Sequence, residues 1–237
     1  MSTARLESGI ITAIDRAVKQ NKNNPITLVA RGTTIDNVIG AKKYTGRQST
    51  TTDSYTDVIV LLKNKKDINL SLKGRDTHDS IGGSQRTIET IVPGVLPKFL
   101  KLALAKLQES GYKTGDQIPS VYGQVSKQVK EKLIVGTNAV GGPIDYIYVG
   151  SDIKSKYNPT TNKLNIEGGL VTPKYYSEVY PLYLQTLPRF DDQRFDTEMI
   201  QGGVPKIYGD SASKGGSGCK ISFSTTLPEG ALTVKAS

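Results

Sequence analysis

At 237 residues the chain can bury one good core, or one core and a small appendage, and its modest apolar content with 24 glycines suits a mixed α/β domain with long loops better than a helical bundle. A formal net charge of +9 favours an anionic partner, the lone Cys219 excludes an internal disulfide and a cysteine-based zinc site, and the lone His78 excludes a histidine-pair metal site. No stretch approaches about 20 consecutive apolar residues and the N-terminus has no signal-peptide core, so the expectation is no membrane contact and work in the cytosol of the cell that makes it, or in a particle assembled there.

In chain order, Arg5–Gln20 has helical periodicity, with Leu6, Ile10, Ala13, Ile14 and Ala17 on one stripe and Ser2 or Thr3 as cap. Glu7 borders that stripe near the N-terminus, where a helix dipole favours a carboxylate. Asn21–Asn24 ends the helix, and Pro25–Ala30 reads as a short strand. Arg31–Ser54 is polar and has no clean period. Within it Lys42, Lys43, Tyr44 and Arg47 form a basic patch with one aromatic, suited to phosphate contact and equally readable as a solvated loop.

Thr56–Asp76 is the most organised stretch. Thr56–Leu62 is apolar and β-branched; Lys63–Lys66 breaks it; Asp67–Gly74 alternates, with Ile68, Leu70 and Leu72 on one side and Asn69, Ser71 and Lys73 on the other. This predicts an antiparallel hairpin. With Lys63 opposite Asp67, Ile59 faces Ser71 and Asp57 faces Lys73, which gathers a carboxylate, a hydroxyl and an ammonium on one patch. A one-residue slip would scatter the patch, and an ordinary hairpin with surface Asp and Lys has the same spacing.

Beyond the hairpin, Gly74–Gly83 is a loop carrying Arg75, Asp76, His78 and Asp79, and Gln85–Thr90 begins a helix after Gly82-Gly83-Ser84. That arrangement leaves backbone N–H groups for a phosphate or simply caps the helix. Leu96–Ser110 reads as an amphipathic helix with Leu100, Leu104 and Leu107 inward, and Val121–Leu133 as another. Ile144–Val149 is a strand after the Gly141-Gly142-Pro143 turn; Asp152–Asn165 is polar, with a turn at Asn158-Pro159, and Leu164–Ile166 can pair with a neighbour. The tyrosine-rich Tyr175–Leu187 suits core packing, an interface or base stacking. Pro188–Glu198 is a mixed charged loop, Asp210–Gly218 a Gly/Ser-rich one, and Val204–Tyr208, Lys220–Ser224 and Leu232–Lys235 are short strands. No internal repeat is evident. The division expected is 1–151 as the core and 152–237 as a β-rich C-terminal elaboration of the same domain.

An Asp opening one strand followed by an x-Lys triplet on the next resembles the PD-(D/E)XK nuclease superfamily. The residues are Asp57, then Ser71-Leu72-Lys73. A tighter likeness is to phage-encoded members, in which an ISLK-like strand precedes a Gly-rich segment and Ser-Gln; here these are LSLKGRD and Ile81-Gly82-Gly83-Ser84-Gln85. The likeness runs from about Glu7 to Gln85. Ser71 stands where the family has a carboxylate, and Thr56 where it has proline.

The resemblance implies an α/β, restriction-endonuclease-like core, with a mixed central sheet flanked by helices. It implies a Mg2+- or Mn2+-dependent nuclease, phage-borne, that hydrolyses DNA. In it Asp57 is the main metal ligand and Glu7 assists. Ser71 contributes its hydroxyl, and Lys73 positions water or stabilises the transition state. Lys42, Lys43, Arg47 and Arg75 would hold the DNA backbone, with Gln85 at a phosphate or water. Two other readings stand beside it: a nuclease-like nucleic-acid-binding module without catalysis, and a virion structural or assembly protein. A homodimer or a phage assembly partner is compatible with any of the three.

Overall fold

The computed structural model describes residues 3–46, 54–73, 85–113, 116, 118–187, 200–201, 204–205 and 220–237. Along the chain run α1 (Thr3–Gln20), β1 (Ile26–Arg31), β2 (Thr33–Lys43), β3 (Val58–Leu62), β4 (Ile68–Lys73), α2 (Gln85–Ile91) and α3 (Val95–Glu109). There follow β5 (Val121–Gln124), α4 (Lys127–Val135), β6 (Tyr146–Asn158), β7 (Lys163–Val171), α5 (Pro173–Val179) and β8 (Tyr183–Leu187). The short β9 (Ile200–Gln201) and β10 (Val204–Pro205) precede β11 (Lys220–Ser224) and β12 (Leu232–Lys235). The chain packs as two compact units, Met1–His78 with Ile134–Val179, and Asp79–Leu133 with Tyr180–Ser237. The boundary expected at 151/152 falls inside β6. No described helix is long and apolar enough to cross a membrane.

In the first unit six strands close a mixed barrel in the order β1-β2-β3-β4-β6-β7. β1 through β4 form an antiparallel meander; β4 then pairs parallel with β6, β6 antiparallel with β7, and β7 parallel with β1. Helix α1 packs on β2, β4 and β6. Its Leu6, Ile10, Ile14 and Ala17 are at most 1% exposed and share one core with Leu28, Val58, Val60, Leu70, Leu72 and Leu164. Each such leucine, isoleucine or valine contributes roughly 1.5–3 kcal/mol on leaving water.

The barrel corrects the expectation of a restriction-endonuclease-like α/β core flanked by helices. Two segments expected to be irregular are the reason. The first is β2, whose buried residues Ile35, Val38, Gly40 and Ala41 do not follow the alternation of a regular strand. Asn37 adopts a left-handed φ of 62°, and the register with both neighbours shifts beside Val38, so bulges break the phase that alternation would have revealed. The second is Asp152–Asn165, which is the outer part of β6, a turn, and the start of β7. Ser151, Asp152, Lys154, Ser155 and Lys156 are all exposed, so this arm carries little apolar signal. It is nevertheless what returns the chain to β1 and closes the sheet. A bulge between Val149 and Lys154 bends β6, and there the Tyr148 hydroxyl lies 2.8 Å from the Asp152 carbonyl oxygen and 2.7 Å from that of Glu167.

The β3–β4 hairpin forms, but Ile59 pairs with Asn69 and Val58 with Leu70, two residues away from the expected register. The turn is longer than expected: Asn64 takes φ 59° and the Asp67 carboxylate accepts the Leu62 N–H at 3.1 Å. The expected pairing of Asp57 with Lys73 is therefore replaced by Asp57 opposite Ser71, while a two-residue shift preserves the facing of every side chain and keeps the three residues on one side.

The second unit is built on a four-stranded sheet, β11-β8-β5-β12, with β12 parallel to β5. Helix α3 lies on β5 and β12. Its buried face is Val95, Phe99, Ala103 and Leu107, whereas Leu100 and Leu104 are only half-buried, so the stripe is rotated from the expected one. The helix expected over Val121–Leu133 is strand β5 followed by α4. Gly123 explains the strand: a Cβ there would sit 2.5 Å from the Phe99 ring, so the backbone packs directly on α3. In the tyrosine-rich segment, Tyr183 meets Tyr122 edge-on with ring centroids 6.5 Å apart. Strands β11 and β12 match the expected ranges, and Asp210–Gly218 lies outside the described residues.

Candidate active site

Asp57 immediately precedes β3 and is fixed from several sides. Ahead of it the Tyr55 N–H donates to the Val140 carbonyl at 2.9 Å, and the buried Thr56 hydroxyl donates to the Gly141 carbonyl. Thr56 thus anchors the strand entrance through its side chain. The Asp57 N–H donates to the Leu70 carbonyl at 2.8 Å, and its own carbonyl accepts the Tyr44 N–H at 3.0 Å. Backbone pairing to both neighbouring strands leaves the side chain little choice of position.

The Asp57 Oδ2 atom accepts the Leu72 backbone N–H at 2.6 Å, and the Ser71 hydroxyl lies 3.4 Å from the same oxygen. Ser71 is 4% exposed. Partial burial pushes the Asp57 carboxyl above the ordinary carboxylate range; the Leu72 N–H, the Lys73 ammonium and the Ser71 hydroxyl pull it down, while Glu7 pushes it up. Burial also lowers the Lys73 ammonium from its usual value, with Asp57 opposing that shift.

Glu7 projects from the first turns of α1, its side chain 13% exposed, and its Oε2 meets the Lys43 ammonium at 2.7 Å. That hydrogen bond and charge raise the Lys43 pKa, and Asp57 adds to the rise. Asp15 reaches β2 from the same helix, its Oδ1 accepting the Ala41 N–H at 3.2 Å. The α1–β2 packing therefore brings Glu7 and Lys43 into the field of Asp57, from sequence positions 50 and 14 residues away.

Four residues expected in the site, Glu7, Asp57, Ser71 and Lys73, are accordingly brought together, and Lys43 joins them as the counter-ion of Glu7. Lys42 points to the other face of β2, opposite Ile59. Arg47 and Arg75 lie outside the described residues, as does the side chain of Gln85, which opens α2 in the second unit. Sequence reasoning missed Lys43 as a carboxylate partner and missed the Leu72 N–H. The first depends on a helix–strand contact with no local signature; the second is a backbone group, which no residue type announces.

Among the described residues no three or more His, Cys, Asp or Glu side chains converge as a metal cage. Mg2+ needs less, since it keeps several waters and is commonly held by one or two carboxylates plus substrate oxygens. Asp57, desolvated and in the field of a second carboxylate, has the chemistry of a group that a cation would relieve, with Ser71 as a neutral oxygen beside it. The donor set fits a sparsely ligated Mg2+. Comparison with protein-family models, curated proteins and solved structures gives no match for this chain.

Proposed function

We propose that the chain is a divalent-metal-dependent hydrolase of DNA phosphodiester bonds, centred on Asp57. The observation that carries this reading is the meeting of the desolvated Asp57 carboxylate with Ser71, Lys73 and Glu7 at one end of β3 and β4. Asp57 and Glu7 would hold Mg2+, which when bound supplies positive charge to a phosphoryl oxygen and acidifies a water. Ser71 hydrogen-bonds Asp57 and keeps its carboxylate oriented. Lys73, its proton affinity lowered by burial, positions the attacking water and stabilises negative charge developing on the phosphoryl group. The excess of basic residues suits a polyanionic substrate held without sequence readout.

A second reading, a nucleic-acid-binding module without hydrolysis, draws on one specific observation. Asp57 Oδ2 already takes the Leu72 N–H, and Glu7 Oε2 already takes Lys43, so both carboxylates have internal cationic or N–H partners. Incubation of linear, nicked and branched DNA with Mg2+ or Mn2+ separates the two. Metal-dependent cutting that Asp57→Asn and Lys73→Met abolish supports the hydrolase; binding without cutting by the unaltered chain supports the module.

A further inference from the structure

On the flank of α1 turned away from Glu7, the helix and the outer arm of β6 enclose an open groove of about 640 Å³. Its helix wall carries Arg5, Thr12 and Arg16, and its strand wall Lys156 and Tyr157. Eleven residues separate the two arginines. That is about three helical turns, so they share one azimuth and stand roughly 16 Å apart along the axis. Glu7 and Arg16, nine residues apart, point about half a turn from each other. The groove is therefore separate from the Asp57 cluster.

Arg5, Arg16 and Lys156 are exposed, and none of them forms an ion pair with a described residue. Nearby Lys154, by contrast, pairs with Glu167 at 3.5 Å. Asp152 is the one carboxylate in the lining, and its Oδ1 accepts the N–H of Ile153 at 2.9 Å. Three cations against one carboxylate thus line the cleft, together with Gly9, Ala13, Ile153 and Leu164. At Gly9 the helix and the arm approach closely: a Cβ there would lie 3.1 Å from Ile153 Cγ1, so a side chain would push the Ile153 side chain back by a few tenths of an ångström.

We infer that this groove binds a single strand of nucleic acid, with Arg5, Arg16 and Lys156 on its phosphates. Arginine forks and threonine hydroxyls are standard phosphate donors. Tyr157, half-buried against the core and hydrogen-bonded through its hydroxyl to Asn162 at 3.2 Å, is a fixed aromatic in the strand wall, beside which a base would sit. A volume of about 640 Å³ is that of a small-ligand cleft, room for a short stretch of one strand and not for the body of a duplex, whose major groove alone is about 12 Å wide. The inference shares with the proposed function only the nature of the polymer and does not depend on hydrolysis.

The test is fluorescence anisotropy of the full chain with a labelled dT20 strand and a labelled 20-base-pair duplex, in EDTA, from 50 to 200 mM NaCl. Arg5→Ala/Arg16→Ala/Lys156→Ala is compared with Lys65→Ala/Lys66→Ala/Lys98→Ala, which removes the same charge from exposed sites elsewhere. The groove variant is expected to bind dT20 at least about tenfold more weakly, with its log K against log salt slope reduced by about 2, and the control variant to change less than about twofold. Equal losses in the two variants overturn the assignment, as does absence of dT20 binding by the unaltered chain at 50 mM NaCl. Tighter binding of the duplex than of dT20 overturns the single-strand assignment. If the unaltered chain binds through the groove yet never cuts, the hydrolase reading fails and the groove stands. The side chains substituted in the two triple variants are all exposed, and an unchanged unfolding midpoint confirms that these variants are folded.

Discussion

The Leu72 N–H donates to Asp57 Oδ2 at 2.6 Å, so a carboxylate side chain takes a backbone donor at the point where β4 passes the entrance to β3. One bond thereby ties the candidate reactive group to the strand that carries Ser71 and Lys73. Moving that strand would move all three together.

Asp57→Ala and Asp57→Asn should separate structure from chemistry. Alanine leaves the Leu72 N–H without its acceptor and should cost about 1–3 kcal/mol. Asparagine keeps an oxygen for that N–H and removes a partly desolvated charge, so its unfolding free energy should stay close to that of the unaltered chain. Both should abolish metal-dependent cleavage. Urea unfolding and the DNA-cutting assay, run on the same preparations, check this pair.

The pH dependence of stability follows from the same group. Because the folded Asp57 holds its proton to higher pH than the unfolded chain does, the folded state binds more protons in the window above the ordinary carboxylate value near 3.9. Stability from this group is present below that value and falls as pH rises through the raised one. Lys73 behaves oppositely: its lowered pKa means that stability is lost as pH falls from about 10.4 through the folded value. Urea midpoints between pH 3.5 and 7 should decline less steeply with rising pH in Asp57→Asn than in the unaltered chain. An identical slope would contradict the burial of that carboxyl.

Lys43 competes with any cation for Glu7. Its ammonium is largely exposed but Glu7 is only 13% exposed, so Lys43→Met should lower the unfolding midpoint modestly by leaving that carboxylate without its counter-ion. Removing that positive charge should tighten Mn2+ binding roughly three- to tenfold, whereas Glu7→Gln should weaken it. Mn2+ titration followed by electron paramagnetic resonance reads both. Weaker binding in Lys43→Met would mean that the lysine supports the site instead of competing for it.

Closure of the barrel rests on the bent β6–β7 arm. Gly168 adopts φ 131°, and a Cβ there would sit 2.5 Å from the Tyr148 hydroxyl that bridges the bulge. Gly168→Ala should destabilise by about 1–3 kcal/mol from backbone strain, with displacement of Tyr148 adding to it. Tyr148→Phe should cost about 0.5–1.5 kcal/mol for the lost hydrogen bond. Thermal and urea unfolding measure both, and a neutral Gly168→Ala would argue against the bulge geometry.

Much of the site was legible because it is local. Asp57, Ser71 and Lys73 sit on two strands joined by a short turn, so strand alternation alone brings them to one patch. Even a two-residue error in register leaves their facing intact. The stripe of α1 was equally readable, since Leu6, Ile10 and Ile14 repeat at helical spacing. Residue chemistry and short-range period were enough for these features. The barrel was a matter of long-range pairing: β2 hid its period behind bulges, and the β6–β7 arm is too polar to look like part of a closed sheet. The partnership of Lys43 with Glu7, and the groove between α1 and β6, arise where elements distant in sequence pack together. Those contacts are set by the shape of the whole core, which no window of the sequence contains.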